Sequence, residues 1–288
     1  MLADLDLLLI AVFCAADDLL PRKPGNARRI VTDAEVVTLC VAQAVMGIPS
    51  DRRFLAVAAK RLAHLFPERP AQPGFHKRRR RLAGTIEWLV GVFAQDSPGF
   101  YDDVVLLDST PVECGRSVET VRRSELADFC GYGYCRSHSR HFWGMRLHLA
   151  CAPDGTPKGA ALVAADRPER EIALKLLPQL LNGGEALVCD KGYAGGAFEL
   201  AVEGLGAKVL RPARKDEPDN GLHLSSIRQR IESVFWTCKD LLTLERHGAR
   251  TIHNLHARIG ARLLALAACI ALNHRLGRPS RSLVAYVA

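Results

Sequence analysis

Val104-Val-Leu-Leu-Asp-Ser-Thr-Pro111 is the stretch on which the reading of this chain turns. Four apolar residues run into a carboxylate and then into turn formers. A run with no polar alternation is the pattern of a strand buried on both faces of its sheet. Asp108 stands where that strand is expected to end, held by the strand yet open to solvent, and Pro111 is expected to stop central-strand pairing. Ala186-Leu-Val-Cys-Asp190, followed by Lys191-Gly192-Tyr193, repeats the design. Either aspartate alone reads as an ordinary turn former. As a pair at the ends of neighbouring strands, they bring like charges to one rim, which is stable chiefly when a divalent cation is shared between them.

A third stretch adds an acid between two bases. Ser226-Ile-Arg-Gln229 has the form of a capping box, and Ile227, Ile231, Val234, Cys238 and Leu241 make a helical apolar stripe behind it. At roughly 100° per residue, Arg228, Glu232 and Lys239 fall on one side of that helix. By itself this is a solvated face with an i,i+4 Arg–Glu pair.

Taken together, Asp108 after an apolar strand, Asp190 in Asp-Lys-Gly-Tyr, and Arg228-x3-Glu232-x6-Lys239 resemble the DDE transposases of bacterial insertion sequences. The resemblance runs from about Tyr101 to Asn273. It takes in Leu107-Asp-Ser-Thr-Pro-Val, Gly131-Tyr-Gly-Tyr-Cys, Ser137-His-Ser-Arg and Leu210-Arg-Pro-Ala-Arg-Lys-Asp. Related elements carry Tyr three residues before the motif arginine, where this chain has Ser225. The resemblance implies an α/β fold, an RNase H-like mixed sheet with flanking helices, preceded by an all-helical N-terminal domain. It implies two Mg²⁺ ions, with Mn²⁺ able to substitute. Asp108 would bridge both ions, while Asp190 and Glu232 each complete one. Two such ions about 4 Å apart suit phosphodiester chemistry. The implied partners are double-stranded DNA, both element ends and target, and a second copy of the chain in a DNA-bound homodimer. Two other readings stay open: a metal-dependent nuclease of the same fold without strand transfer, and a catalytically silent DNA-binding protein derived from a transposase.

The whole chain is compatible with this. It has 288 residues, 48% hydrophobic, with Lys+Arg 39 against Asp+Glu 31 and net charge +8. That balance favours an anionic partner, nucleic acid first and membrane surface second. Several of the nine cysteines lie inside apolar runs and read as reduced, buried thiols. Met1–Phe13 carries Asp4 and Asp6 and no early base, which makes a poor signal peptide. Leu263–Leu272 is too short an apolar run to span a bilayer. The expectation is a cytoplasmic, nucleoid-associated protein with no membrane partner.

Residues 1–98 read as helical and DNA-binding, 99–250 as the catalytic domain, and 251–288 as a C-terminal helix packing on the core or on a partner subunit. In the first part helices are expected over Leu5–Phe13, from Thr32 to Gly47, from Ser50 or Asp51 to before Pro67, and from Gly74 to about Gln95. His76-Lys-Arg-Arg-Arg-Arg81 covers every face of the last of these. Lys77, Arg78, Arg79, Arg80 and Arg81 are therefore expected to meet phosphates. Residues 112–141 read as an irregular segment with a short helix near Val118–Phe129, where basic and aromatic side chains could grip a backbone and stack on splayed bases. Arg136 and Arg140 from this segment, with Lys191, Arg211, Arg214, Lys215, Arg228 and Lys239, complete the expected DNA contacts. Cys130, Cys135, His138 and His141 raise zinc, but their spacing is off the usual patterns.

Overall fold

The computed structural model describes residues 2–21, 30–135, 139–218, 221 and 224–287. It divides into two compact units, Met1–Phe93 with Thr237–Ala288, and Ala94–Trp236.

The first unit is helical. It holds α1 (Leu2–Leu19), α2 (Asp33–Val45), α3 (Asp51–Arg61), α4 (Gln72–Arg81), most of α5 (Ala83–Gln95), the end of α9 (Ser225–Asp240) and all of α10 (Ile252–Arg275). Local chemistry starts three of these helices, with Thr251 capping α10 through the Asn254 N–H. Thr32 and Glu35 form a reciprocal capping box at α2, and Ser50 Oγ accepts the Arg53 N–H at α3. The single helix expected over Gly74–Gln95 is two. At Leu82 the backbone leaves the helical region (φ −93°, ψ 8°) as the side chain turns inward. Gly84 just beyond is a poor helix former. The C-terminal helix α10 packs on α1, α2 and α4 within this unit. By length and composition α10 could cross a membrane, but most of it is buried among these helices.

A six-stranded mixed sheet forms the second unit: β1 (Val104–Gly115), β2 (Gly131–Cys135), β3 (Arg140–Cys151), β4 (Pro157–Ala164), β5 (Ala186–Val188) and β6 (Lys208–Leu210). The order is β2-β3-β1-β5-β6, with β4 also on β3. β1 runs antiparallel to β3 and parallel to β5, and β5 runs parallel to β6. This is the order of the RNase H-like sheet, with β2 added. The helices α6 (Val118–Arg123), α7 (Glu169–Leu176) and α8 (Gly196–Gly204) lie between strands. From α7, Ala173 and Leu176, and from α8, Phe198 and Val202, join Val105, Leu107 and Leu187 in one buried cluster. That burial, at roughly 25 cal/mol per Å², fixes both helices to the sheet.

β1 departs from expectation. It does not stop at Asp108 but continues through Pro111, which pairs with Arg146 of β3. Beyond Leu106, β1 has no β5 partner, so this half is an edge on that side and tolerates a residue without an N–H. Where an irregular segment is expected, Gly131–Cys135 forms β2 and pairs along β3. Gly144 lies where β2, β3 and β1 meet. A Cβ there would come within 2.3 Å of the Val112 carbonyl oxygen, so no larger residue fits.

Candidate active site at the strand ends

The parallel register places the two aspartates. Leu106 of β1 is level with Val188 of β5. Asp108 and Asp190 each follow two residues on, from strands that lie about 4.8 Å apart in any sheet. The Ser109 N–H donates to Asp108 Oδ1 at 2.8 Å. Asp190 caps the 3₁₀ turn Lys191–Tyr193, its Oδ1 accepting the Gly192 N–H at 2.7 Å. A Cβ on Gly192 would fall 2.8 Å from that same oxygen, so glycine is what lets the backbone come this close.

Charge is costly here. Burial pushes the Asp108 carboxyl up to about 7, against the pull of the Ser109 N–H. The charges of Asp190 and Glu169 push the same way, and Arg228 opposes them. Arg228, in the first turns of α9, therefore faces the strand ends, and its charge also bears on Cys189. Glu232 lies one turn on, 3.9 Å from Arg228, with a side chain 60% exposed. The charges of Asp190 and Arg228 thus both bear on Asp108, while the Glu232 side chain is turned to solvent. Among the described residues no three His, Cys, Asp or Glu side chains stand together ready to hold a metal. The helix starts at Ser225, one residue before the expected capping box.

The sequence model of the family described as "Transposase DDE domain" matches residues 100–268, more than half of the chain. This chain belongs to the transposase DDE domain family. A search of curated proteins finds no match. Among solved structures, a cryo-EM piggyBac transposase synaptic complex with hairpin DNA aligns at TM-score 0.46 and 11% identity. The alignment covers 98% of this chain and 76% of that one. A likeness that loose carries no argument about function.

In this transposase domain the expected DNA contacts fare unevenly. Lys191 and Lys215 are exposed, and Arg140 pairs with Glu113 at 3.3 Å with its side chain still 44% exposed. Arg211 is committed inward to Glu199 and Glu217 at 2.8 and 2.6 Å, so it is not offered to a phosphate. Arg214 donates to the Ala194 carbonyl at 3.0 Å and shapes the Asp190 turn. Arg136 lies outside the described residues, as does His138 of the zinc reading. Cys130 hydrogen-bonds Cys114, which pushes its thiol up, and His141 packs on the Tyr134 ring at 5.0 Å. In the helical unit, Lys77, Arg80 and Arg81 are exposed. Arg79 is not a DNA contact: it is 1% exposed and its guanidinium grips both oxygens of Asp51 at 2.9 Å. Arg78 binds Asp33 at 2.6 Å and the Val31 carbonyl. Lys239 pairs with Glu245 at 3.4 Å.

Sequence reasoning missed Glu169, Arg146, Ser109 and the phenol of Tyr193. Glu169 Oε1 accepts from Ser109 Oγ at 2.6 Å and from Arg146 at 2.7 Å. Ser109 directly follows Asp108, so a serine at that place was the available signal. Tyr193 is fully buried, and its Oη has no hydrogen-bond partner among the described residues.

Proposed function

We propose that this chain is the DNA transposase of a bacterial insertion sequence, which binds element ends, cuts a phosphodiester bond and joins the freed 3′-hydroxyl to target DNA. The observation that supports this reading is that Asp108 and Asp190 each stand two residues beyond the level pair Leu106 and Val188 of adjacent parallel strands. A pair of carboxylates whose charges oppose one another is a poor structural choice and a good ligand set for a hard cation. The donors fit Mg²⁺ or Mn²⁺: all are oxygens, and the unpartnered Tyr193 Oη could donate to a coordinated water. Asp108, Asp190 and, once its exposed side chain turns in from α9, Glu232 would hold the ions. Divalent ions in such a site lower the pKa of the attacking water and stabilise the leaving oxygen.

The protein's own groups do the rest. Asp108 must be ionised to serve as a ligand, and Arg228 favours that form. Arg228, one turn before Glu232 on α9, would hold a phosphate through charge-assisted bonds. The exposed Lys77, Arg80 and Arg81 add contacts of no sequence preference. DNA as partner, a homodimer on DNA and a nucleoid-associated place in the cytoplasm belong to this proposal, supported by family membership and net charge +8. The purified chain with labelled element ends, target DNA and Mg²⁺ should yield cut ends and joined product. Cutting with no joining would favour the nuclease reading, and neither would favour a silent DNA-binding protein.

A further inference from the structure

Glu169 opens α7, and it reaches back 60 residues in sequence to Ser109 on β1. Its Oε1 takes two hydrogen bonds, from Ser109 Oγ at 2.6 Å and from Arg146 of β3 at 2.7 Å. Arg146 in turn donates to the Tyr134 carbonyl at 3.1 Å and lies over the Phe142 ring, its charged carbon 5.6 Å from the centroid. The guanidinium is therefore clamped between strands, and Glu169 is clamped to it. Ser109 has one group on each side of this relay. Its hydroxyl is tied to Glu169 while its N–H holds Asp108 Oδ1. Rotation of the Asp108 carboxylate away from that N–H is resisted by whatever fixes Ser109.

A second observation points to a ligand at this place. The Tyr193 phenol is fully buried with no hydrogen-bond partner among the described residues. After burial, the influences that oppose its ionisation begin with the charges of Glu169 and Asp108 and include Asp190. A buried hydroxyl with no hydrogen-bond partner among the described residues is costly unless a bound group accepts from it. A coordinated water or a phosphate oxygen fits that description.

We propose that Glu169 is a positioning residue of the cation site: through Ser109 it sets the orientation of Asp108, with Arg146 as its anchor and the Tyr193 hydroxyl facing the same space. This rests on the carboxylate reading above and adds a residue to it. Groups that orient a ligand in this way commonly cost 10–100-fold in ion affinity when removed.

The test is a double-mutant cycle on the intact chain. Mn²⁺ binding without DNA is measured by calorimetry, beside melting temperature and the kcat and KM of end cleavage. Glu169→Ala and Ser109→Ala should each weaken Mn²⁺ by about tenfold and lower kcat while leaving KM for the end near its normal value. The double variant should be no worse than the poorer single one, because both remove the same relay. Glu169→Gln keeps an acceptor for Ser109 and should recover most of the Mn²⁺ affinity. Should Glu169→Ala fail to fold, Ser109→Ala and Glu169→Gln carry the test. Asp108→Asn is the control: if it binds Mn²⁺ as tightly as the parent chain, the carboxylate reading itself falls. If Asp108→Asn loses the ion while Ser109→Ala and Glu169→Ala keep it, or if their losses simply add, only the positioning role is overturned.

Discussion

Asp108 is placed where its charge is unwelcome, and that has a measurable cost. With no cation present, burial and the neighbouring acids hold its pKa near 7, above an ordinary value of 3.8. Between those two values the folded chain binds a proton that the unfolded chain has lost. Stability must therefore fall as pH rises through that window and level off above it. Asp108→Asn removes the penalty. Its melting temperature in chelator should exceed the parent's at pH 8, by the equivalent of on the order of 4 kcal/mol, and match it near pH 4. Equal melting at pH 8 would mean the carboxyl ionises freely and is not enclosed by its neighbours.

At the scale of elements, α4 shows how a run of like charges divides its labour. Lys77, Arg80 and Arg81 point outward, while Arg79 is buried against Asp51 and Arg78 is tied to Asp33. Replacing the three outward residues with Ala should lower the salt slope of DNA binding by about 0.9 for each phosphate that is no longer neutralised, with melting unchanged. A slope that stays put would make them an ordinary solvated face. Arg79 could not have been assigned from sequence, because its partner Asp51 lies 28 residues earlier and outside any helical repeat. The same limit hid the Glu169–Ser109 bond. Local signals do identify the apolar runs of β1 and β5, the hairpin of β3 and β4, the Ser50 cap, and the helix carrying Arg228 and Glu232. Pro111 misled because its exclusion holds for central strands, and β1 becomes an edge on one side after Leu106. Glu232 was legible as a residue of the right helix. Its rotamer was not, since nothing in a sequence says which way an exposed carboxylate turns.

Across the whole molecule, each unit holds an acid whose surroundings shift it, Asp51 in the helical unit and Asp108 in the sheet unit. In the helical unit one carboxylate answers more than one guanidinium. Asp51 accepts from Arg79 and, at 2.6 Å, from Arg258. Arg262, one turn along α10, is pushed down to about 9 by burial and by Arg258. The Asp51 carboxyl is held well below its usual range: burial works against this, but the bonds and charge of Arg79, with Arg258, outweigh it. Asp51→Ala would leave two buried cations without the carboxylate charge they share, Gln43, Asn254 and the Pro49 carbonyl remaining as neutral acceptors. It should cost on the order of 3–5 kcal/mol, seen as a fall in the melting temperature of the intact chain. A loss under about 1 kcal/mol would mean water reaches these arginines when the acid is removed. In the sheet unit the unfavourable charges gather at one rim, where a cation and a phosphate would relieve them.

That contrast leads to the most direct measurement, cleavage of labelled element-end DNA by the intact chain, in Mg²⁺ and in chelator, beside Asp108→Asn, Asp190→Asn and Glu232→Gln. Each substitution removes a charge and keeps the shape. The parent chain should cut only when the ion is present, and each variant should bind the end normally and fail to cut, with a rate lower by at least about 10³-fold, or roughly 4 kcal/mol of lost barrier reduction. Cutting in chelator, or near-normal cutting by Asp108→Asn or Asp190→Asn, would contradict the assignment of the two strand-end carboxylates as the heart of this site.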